Sequence, residues 1–132
     1  MRAWLLLIAA FLLLPLACLA TANGSWLKRV PQADRVRTNP YAADPNAIAA
    51  GRNMFLNNCA KCHGKNAEGK ANRPSLKSKR IQTATDGELA WLLKNGEVFK
   101  GMPGWGALPE PERWQIISYV RSLNTRATGV QE

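Results

Sequence analysis

Cys59-Ala60-Lys61-Cys62-His63 is the stretch on which the reading of this chain turns. It is a single CxxCH, and it follows a segment from Asp44 to Asn58 that carries the marks of an amphipathic helix. Residues three apart on a helical turn present to one side. Both thiols can therefore form thioethers to the vinyl groups of one haem, with the next residue's imidazole beneath the iron. That spacing is the attachment signature of a c-type haem.

Two other chemistries use such a motif. An exported CxxC can be a thioredoxin-like dithiol, but that fold needs strands, and no alternating apolar–polar run is visible. A closed zinc site takes four Cys or His ligands, whereas beyond residue 22 the chain holds only Cys59, Cys62 and His63.

His63 is the only histidine. It is thus the proximal ligand of any haem held here, and no bis-histidine centre can form within one chain. The sixth position falls to Met54, Met102, a lysine, or water in an open site. Met54 sits on the helix entering the motif and cannot reach the opposite haem face. Met102 lies 39 residues beyond His63 (102 − 63), in Gly101-Met102-Pro103-Gly104-Trp105, where Pro103 helps fix the loop's shape. A loop methionine is more often a gap-filler than a ligand. As a ligand, its thioether would favour Fe(II), raise the reduction potential and block exogenous ligands, which suits electron transfer rather than oxygen chemistry.

Outward from the motif, the N-terminus reads as a secretory signal: Met1-Arg2, an apolar run from Ala3 to Leu16, then small residues ending Ala20-Thr21-Ala22. Cleavage is expected after about Ala22, leaving 110 of the 132 residues in the periplasm and removing Cys18. An uncleaved anchor and a lipidated Cys18 are the rival readings, and either would hold the protein at a membrane. Pro15 weighs against both, since it breaks the run as helix and occupies the place three before Cys18 where a lipoprotein signal usually has Leu.

The length of 132 residues, 46% of them hydrophobic, suits one small domain. A domain of this size buries only about two-thirds of its surface, so a covalently held haem would supply missing core. The formal charge is +9, and Lys61, Lys65, Lys70, Arg73, Lys77, Lys79 and Arg80 bunch around the motif and the loop after it. They serve solubility and propionate neutralisation, or form a docking face for an acidic redox partner. Nothing resembles a nucleic-acid module, and export leads away from nucleic acid.

Residues 23–44 read as an extended arm, with Pro31, Pro40 and no apolar periodicity; Trp26 and Tyr41 suggest that it packs on the domain surface. Asp44-Pro45 is an N-cap followed by proline at N1, and Ala47, Gly51, Met54 and Phe55 form one helical face. A mid-helix glycine costs about 1 kcal/mol, so Gly51 points to a close crossing by another helix. Gly64 to Arg80 predicts a long loop, with Pro74-Ser75-Leu76 as its candidate haem contact. Thr85-Asp86-Gly87-Glu88 is a capping box opening a helix through Leu89, Leu92 and Leu93 that stops at Asn95-Gly96. Phe99 to Leu108 is too rich in Gly and Pro for a regular element. A last helix is expected from about Glu110 to Leu123, followed by a flexible tail at 125–132. The fold expected is small and all-α.

Five motifs in order carry a family resemblance: Gly51-x-x-x-Phe55, Cys59-x-x-Cys62-His63, Arg73-Pro74-Ser75-Leu76, Gly101-Met102-Pro103-x-Trp105, and Trp114-x-Ile116-Ile117-x-Tyr119-Val120-x-x-Leu123. Together they resemble monohaem class I cytochromes c over about residues 45–124. The resemblance implies three main helices and loops wrapped around one covalent haem c, held through Cys59 and Cys62. It implies that Gly51 and Phe55 cross the last helix near Ile116 and Tyr119, and that the Pro74 carbonyl accepts the His63 ring N–H. It also implies that Met102 is the distal ligand and that Trp105 and Arg73 sit near the propionates. The function implied is a monomeric electron carrier, not an enzyme, working between redox proteins such as a quinoprotein-type dehydrogenase and a haem–copper oxidase. The alternatives are a membrane-held haem subunit of a larger oxidoreductase, and a haem enzyme or gas sensor with a labile sixth ligand. Pro109 departs from the family's usual Ser or Thr cap, and the arm exceeds its compact core.

Overall fold

The structure, a computed structural model, describes residues 24–128; the signal segment with Cys18 and the last residues of the tail lie outside them. The described residues form six α-helical segments: α1 (Gln32–Arg35), α2 (Pro45–Asn58), α3 (Ala60–His63), α4 (Lys79–Thr83), α5 (Asp86–Asn95) and α6 (Glu110–Thr128). They contain no strand, only isolated bridges between Lys70 and Arg73 and between Glu97 and Met102. The fold is the small all-α one expected, and no helix among the described residues is long and apolar enough to cross a membrane.

Helix α2 starts where its cap demands: the Asp44 carboxylate accepts from the Asn46 and Ala47 N–H groups at 2.8 and 3.4 Å. Its buried face is Ala47, Gly51 and Phe55, laid across α6. A Cβ on Gly51 would stand 1.9 Å from the Gln115 carbonyl oxygen, so only glycine permits the two backbones to approach this closely. One turn on, the Phe55 and Tyr119 rings pack with centroids 5.2 Å apart. Helix α5 opens with the expected capping box, Thr85 Oγ1 accepting from Glu88 N–H at 3.1 Å and Glu88 Oε2 from Thr85 N–H at 2.8 Å.

Four expectations are corrected. The arm expected at 23–44 is not extended over its described residues, 24–44, which fold into a 3-10 turn, Ser25–Arg29, and helix α1. Trp26 and Val30, each 5% exposed, enter the core itself. The anchors are polar, which is why no apolar period announced them. Arg35 pairs with Glu88 and donates to the Leu27 and Val30 carbonyls, while Asn39 donates to the Trp114 carbonyl and Ser118 Oγ. A Cβ on Gly87 would lie 1.8 Å from the Asp34 carbonyl oxygen, so the first turn of α5 is shaped to take the segment. Second, the loop after the motif ends at Ser78, because α4 begins at Lys79. Third, a 3-10 turn, Val98–Lys100, survives before the glycine-rich loop, with Gly101 at φ 80° closing it. Fourth, α6 continues to Thr128; Asn124 is a weak breaker, and neither Gly nor Pro stands between it and Gly129.

Arg121 fastens α6 to the α4–α5 junction. Its guanidinium donates to Asp86 Oδ1 at 2.7 Å, to the Ile81 and Gln82 carbonyls at 3.0 and 3.1 Å, and to the Ala84 carbonyl. Arg121→Ala is expected to cost about 1.5–3 kcal/mol, the range for hydrogen bonds to a charged group. Arg121→Lys should recover less than half, because an ammonium cannot reproduce the fork. Denaturant midpoints of the three haem-loaded proteins test this, and equal midpoints would remove Arg121 from the account.

Candidate functional site

The last turn of α2 runs directly into the motif. Cys59 N–H donates to the Phe55 carbonyl at 2.8 Å, and the Cys62 and His63 N–H groups donate to the Cys59 carbonyl at 3.1 and 2.9 Å. This single turn sets Cys59, Cys62 and His63 on the rim of one cleft. Cys59 is half-buried and Cys62 exposed. Burial, and secondarily the neighbouring Cys62, pushes the Cys59 thiol up to about 11. A redox dithiol works through a lowered thiol pKa, so the shift runs against thioredoxin chemistry.

His63 is buried, and its Nδ1 lies 2.9 Å from the Pro74 carbonyl oxygen. A carbonyl only accepts, so Nδ1 is the donor in this bond, and Nε2 is the ring nitrogen left for a metal. The loop bearing Pro74 is itself tied down: Leu76 N–H donates to the Ala67 carbonyl at 2.9 Å and Ser75 Oγ to the same oxygen at 3.2 Å.

A small hairpin also contributes to the lining of the cleft. Glu97 and Met102 exchange both backbone hydrogen bonds, at 3.0 and 3.1 Å. Met102 and Trp105 line the cleft; Met54 packs against the core and does not. Arg73 also lines it, and its Nη1 donates to the Lys100 carbonyl at 2.7 Å, joining the Pro74 loop to the hairpin. All seven residues expected at the site, Cys59, Cys62, His63, Arg73, Pro74, Met102 and Trp105, therefore share one cleft.

The cleft has an empty volume of about 1340 Å3, counting the part open to solvent. Its walls are Leu89, Leu92 and Leu93 of α5 and Ile116, Ile117 and Val120 of α6. The lining is mainly apolar, and polar side chains such as Asn58, Arg73 and Arg80 join it. Thiols at the rim, one imidazole with a ring nitrogen left for a metal and mainly apolar walls fit a covalently held haem. Sequence reasoning missed Gly24 and Trp26 as lining residues; the one available signal was a tryptophan in a stretch too polar to suggest core.

A family model described as cytochrome c oxidase, cbb3-type, subunit III, matches residues 46–120. The chain is 34% identical over 85 residues to the cbb3-type cytochrome c oxidase subunit CcoP of Rubrivivax gelatinosus, a match covering 63% of this chain and 28% of that protein. It is 32% identical over 92 residues to cytochrome c550 of Pseudomonas aeruginosa, covering 64% of this chain and 61% of that one. A similar solved structure is cytochrome CL of the marine methylotroph Methylophaga aminisulfidivorans MPT, with a TM-score of 0.57 and 32% identity over 64% of this chain and 58% of that one. The chain thus spans under a third of the cbb3 subunit's length and about three-fifths of the cytochrome c550.

Proposed function

Because the chain belongs to the family of cbb3-type cytochrome c oxidase subunit III, and is a monohaem class I c-type cytochrome, we propose that it is a single-electron carrier in a periplasmic respiratory or dehydrogenase-linked chain. Its cofactor is one haem c, joined covalently through Cys59 and Cys62. When bound, the haem supplies a one-electron Fe(III)/Fe(II) couple.

The residues around it do the tuning. His63 and Met102 are the residues that would hold the haem iron. The observation that carries this reading is the bond from His63 Nδ1 to the Pro74 carbonyl, which leaves Nε2 as the ligating nitrogen in the cleft that Met102 also lines. That bond orients the imidazole and raises its basicity. The leucines of α5 and the isoleucines of α6 exclude water, which disfavours the more highly charged oxidised site. One electron enters from a reduced donor and leaves to an oxidised acceptor, and no substrate bond forms or breaks. The lysines and arginines around the motif suit brief contacts with acidic faces of those partners. Arg73 and Trp105 border the cleft where propionates would need cover, and both are assigned to that edge.

The likeness to CcoP, a subunit of an oxidase, favours a second reading as a membrane-held haem subunit. Intact mass and absorption of protein made with cytochrome c maturation machinery separate the readings. The expected mass is residues 23–132 plus one haem, with a sulfur-to-iron charge-transfer band. A retained N-terminus would favour the membrane-held subunit, and free thiols at Cys59 and Cys62 would sink the carrier assignment altogether.

A further inference from the structure

The segment Gly24–Val30 lies before the stretch matched by the family, residues 46–120, yet it reaches the cleft from outside that core. Trp26 is 5% exposed and lines the cleft, with Gly24 beside it. Two further contacts run from this segment to the hairpin. Arg29 pairs with Glu97 while its guanidinium lies over the Trp91 ring, 5.7 Å from the centroid. Lys100 Nζ donates to Ser25 Oγ at 2.8 Å and sits 3.0 Å from Glu97 Oε2.

Glu97 is the residue that matters in this network. Its side chain is 11% exposed and meets Arg29 and Lys100 together. Its backbone exchanges two hydrogen bonds with Met102, so a shift of Glu97 is passed on to the methionine without an intervening residue. A thioether is a weak ligand, and its hold depends on the loop paying little conformational entropy to present it.

We propose that the N-terminal segment positions Met102: Trp26 closes the cleft beside the haem, and the Arg29–Glu97 pair holds the hairpin so that the thioether stays presented to the iron. The inference rests on Met102 being the sixth ligand. Arg29 and Glu97 are positioning residues, since neither touches the iron.

The test uses the full-length haem-loaded protein with Arg29→Gln, Glu97→Gln and the double variant. Two melts are followed in each: loss of the sulfur-to-iron charge-transfer band, and loss of helical circular dichroism. Carbon monoxide affinity of the reduced protein is the third reading. Each single variant is expected to lose the band at a lower temperature while the helices melt nearly as before. Carbon monoxide affinity should rise roughly threefold to fivefold, the scale of a partly exposed ion pair. The double variant should match Glu97→Gln, which already loses the Arg29 pair along with that to Lys100, as for a residue acting only through its partner. If band and helices fall together, if the single effects simply add, or if nothing moves, the segment only packs and the inference is overturned. Absence of the band in the unsubstituted protein is a different failure: it removes Met102 as ligand and this inference with it.

Discussion

Met102→Ala is expected to abolish the sulfur-to-iron charge-transfer band, to let the reduced protein bind carbon monoxide at neutral pH, and to lower the reduction potential by more than about 0.1 V of the roughly 0.8 V over which axial ligation shifts haem potentials. On the proposed ligation the thioether stabilises Fe(II) as a weak, neutral donor, and alanine would leave that position to water. The rest of the site should persist, because the His63–Pro74 bond and the turn from Cys59 to His63 use no atom of the hairpin. Covalent haem content should therefore stay at one per chain. Voltammetry and the absorption spectrum check both halves. A retained band would mean that a lysine or another donor fills the site, and the low-potential, ligand-binding product expected here would not appear.

Gly51→Ala should have the largest effect on stability. The added Cβ would stand 1.9 Å from the Gln115 carbonyl oxygen and 2.4 Å from its carbon. Neither atom can turn aside as a side chain could, so α2 and α6 must separate. Separation opens the contact between Phe55, wholly buried, and Tyr119, 3% exposed. A loss above about 4 kcal/mol is expected, placing the change among the exceptional single substitutions. Alanine is otherwise the better helix former by about 1 kcal/mol, so the predicted sign is opposite to that of propensity. Denaturant unfolding of the haem-loaded protein decides it: an unchanged or raised midpoint would mean the helices do not depend on this approach.

Much of this was legible because it rests on short-range chemistry. The Asp44 cap, the capping box at Thr85, Gly51 on the α2 face and the CxxCH each declare themselves within a few residues, and each stands where it was read. The segment 23–44 was not legible as structure. Its helical pieces are five and four residues long, too short for any apolar period, and it is fixed by Arg35, Asn39 and Arg29 reaching partners tens of residues away. Residues with those side chains read equally well as solvated. The hairpin was missed for a related reason: Glu97 and Met102 pair across a turn closed by Gly101, and the same glycines that permit it argue for irregular loop. At the site, the resemblance supplied Pro74, Arg73 and Trp105, whereas Trp26 belongs to no motif.

The crossing of α2 and α6 also sets the order in which this chain can close. Gly51 and Gln115 are 64 positions apart (115 − 51), and a contact of such span is slow to find because the intervening loop must be closed before any packing rewards it. A chain growing from its N-terminus has no Gln115 to meet until 64 further residues have followed Gly51 (115 − 51). Until then it also lacks Ile116, Ile117 and Val120, one whole side of the cleft. Cys59 and Cys62 therefore stand on an open groove until α6 arrives, and the same late contact that completes the core also ends free access to the thiols from that side.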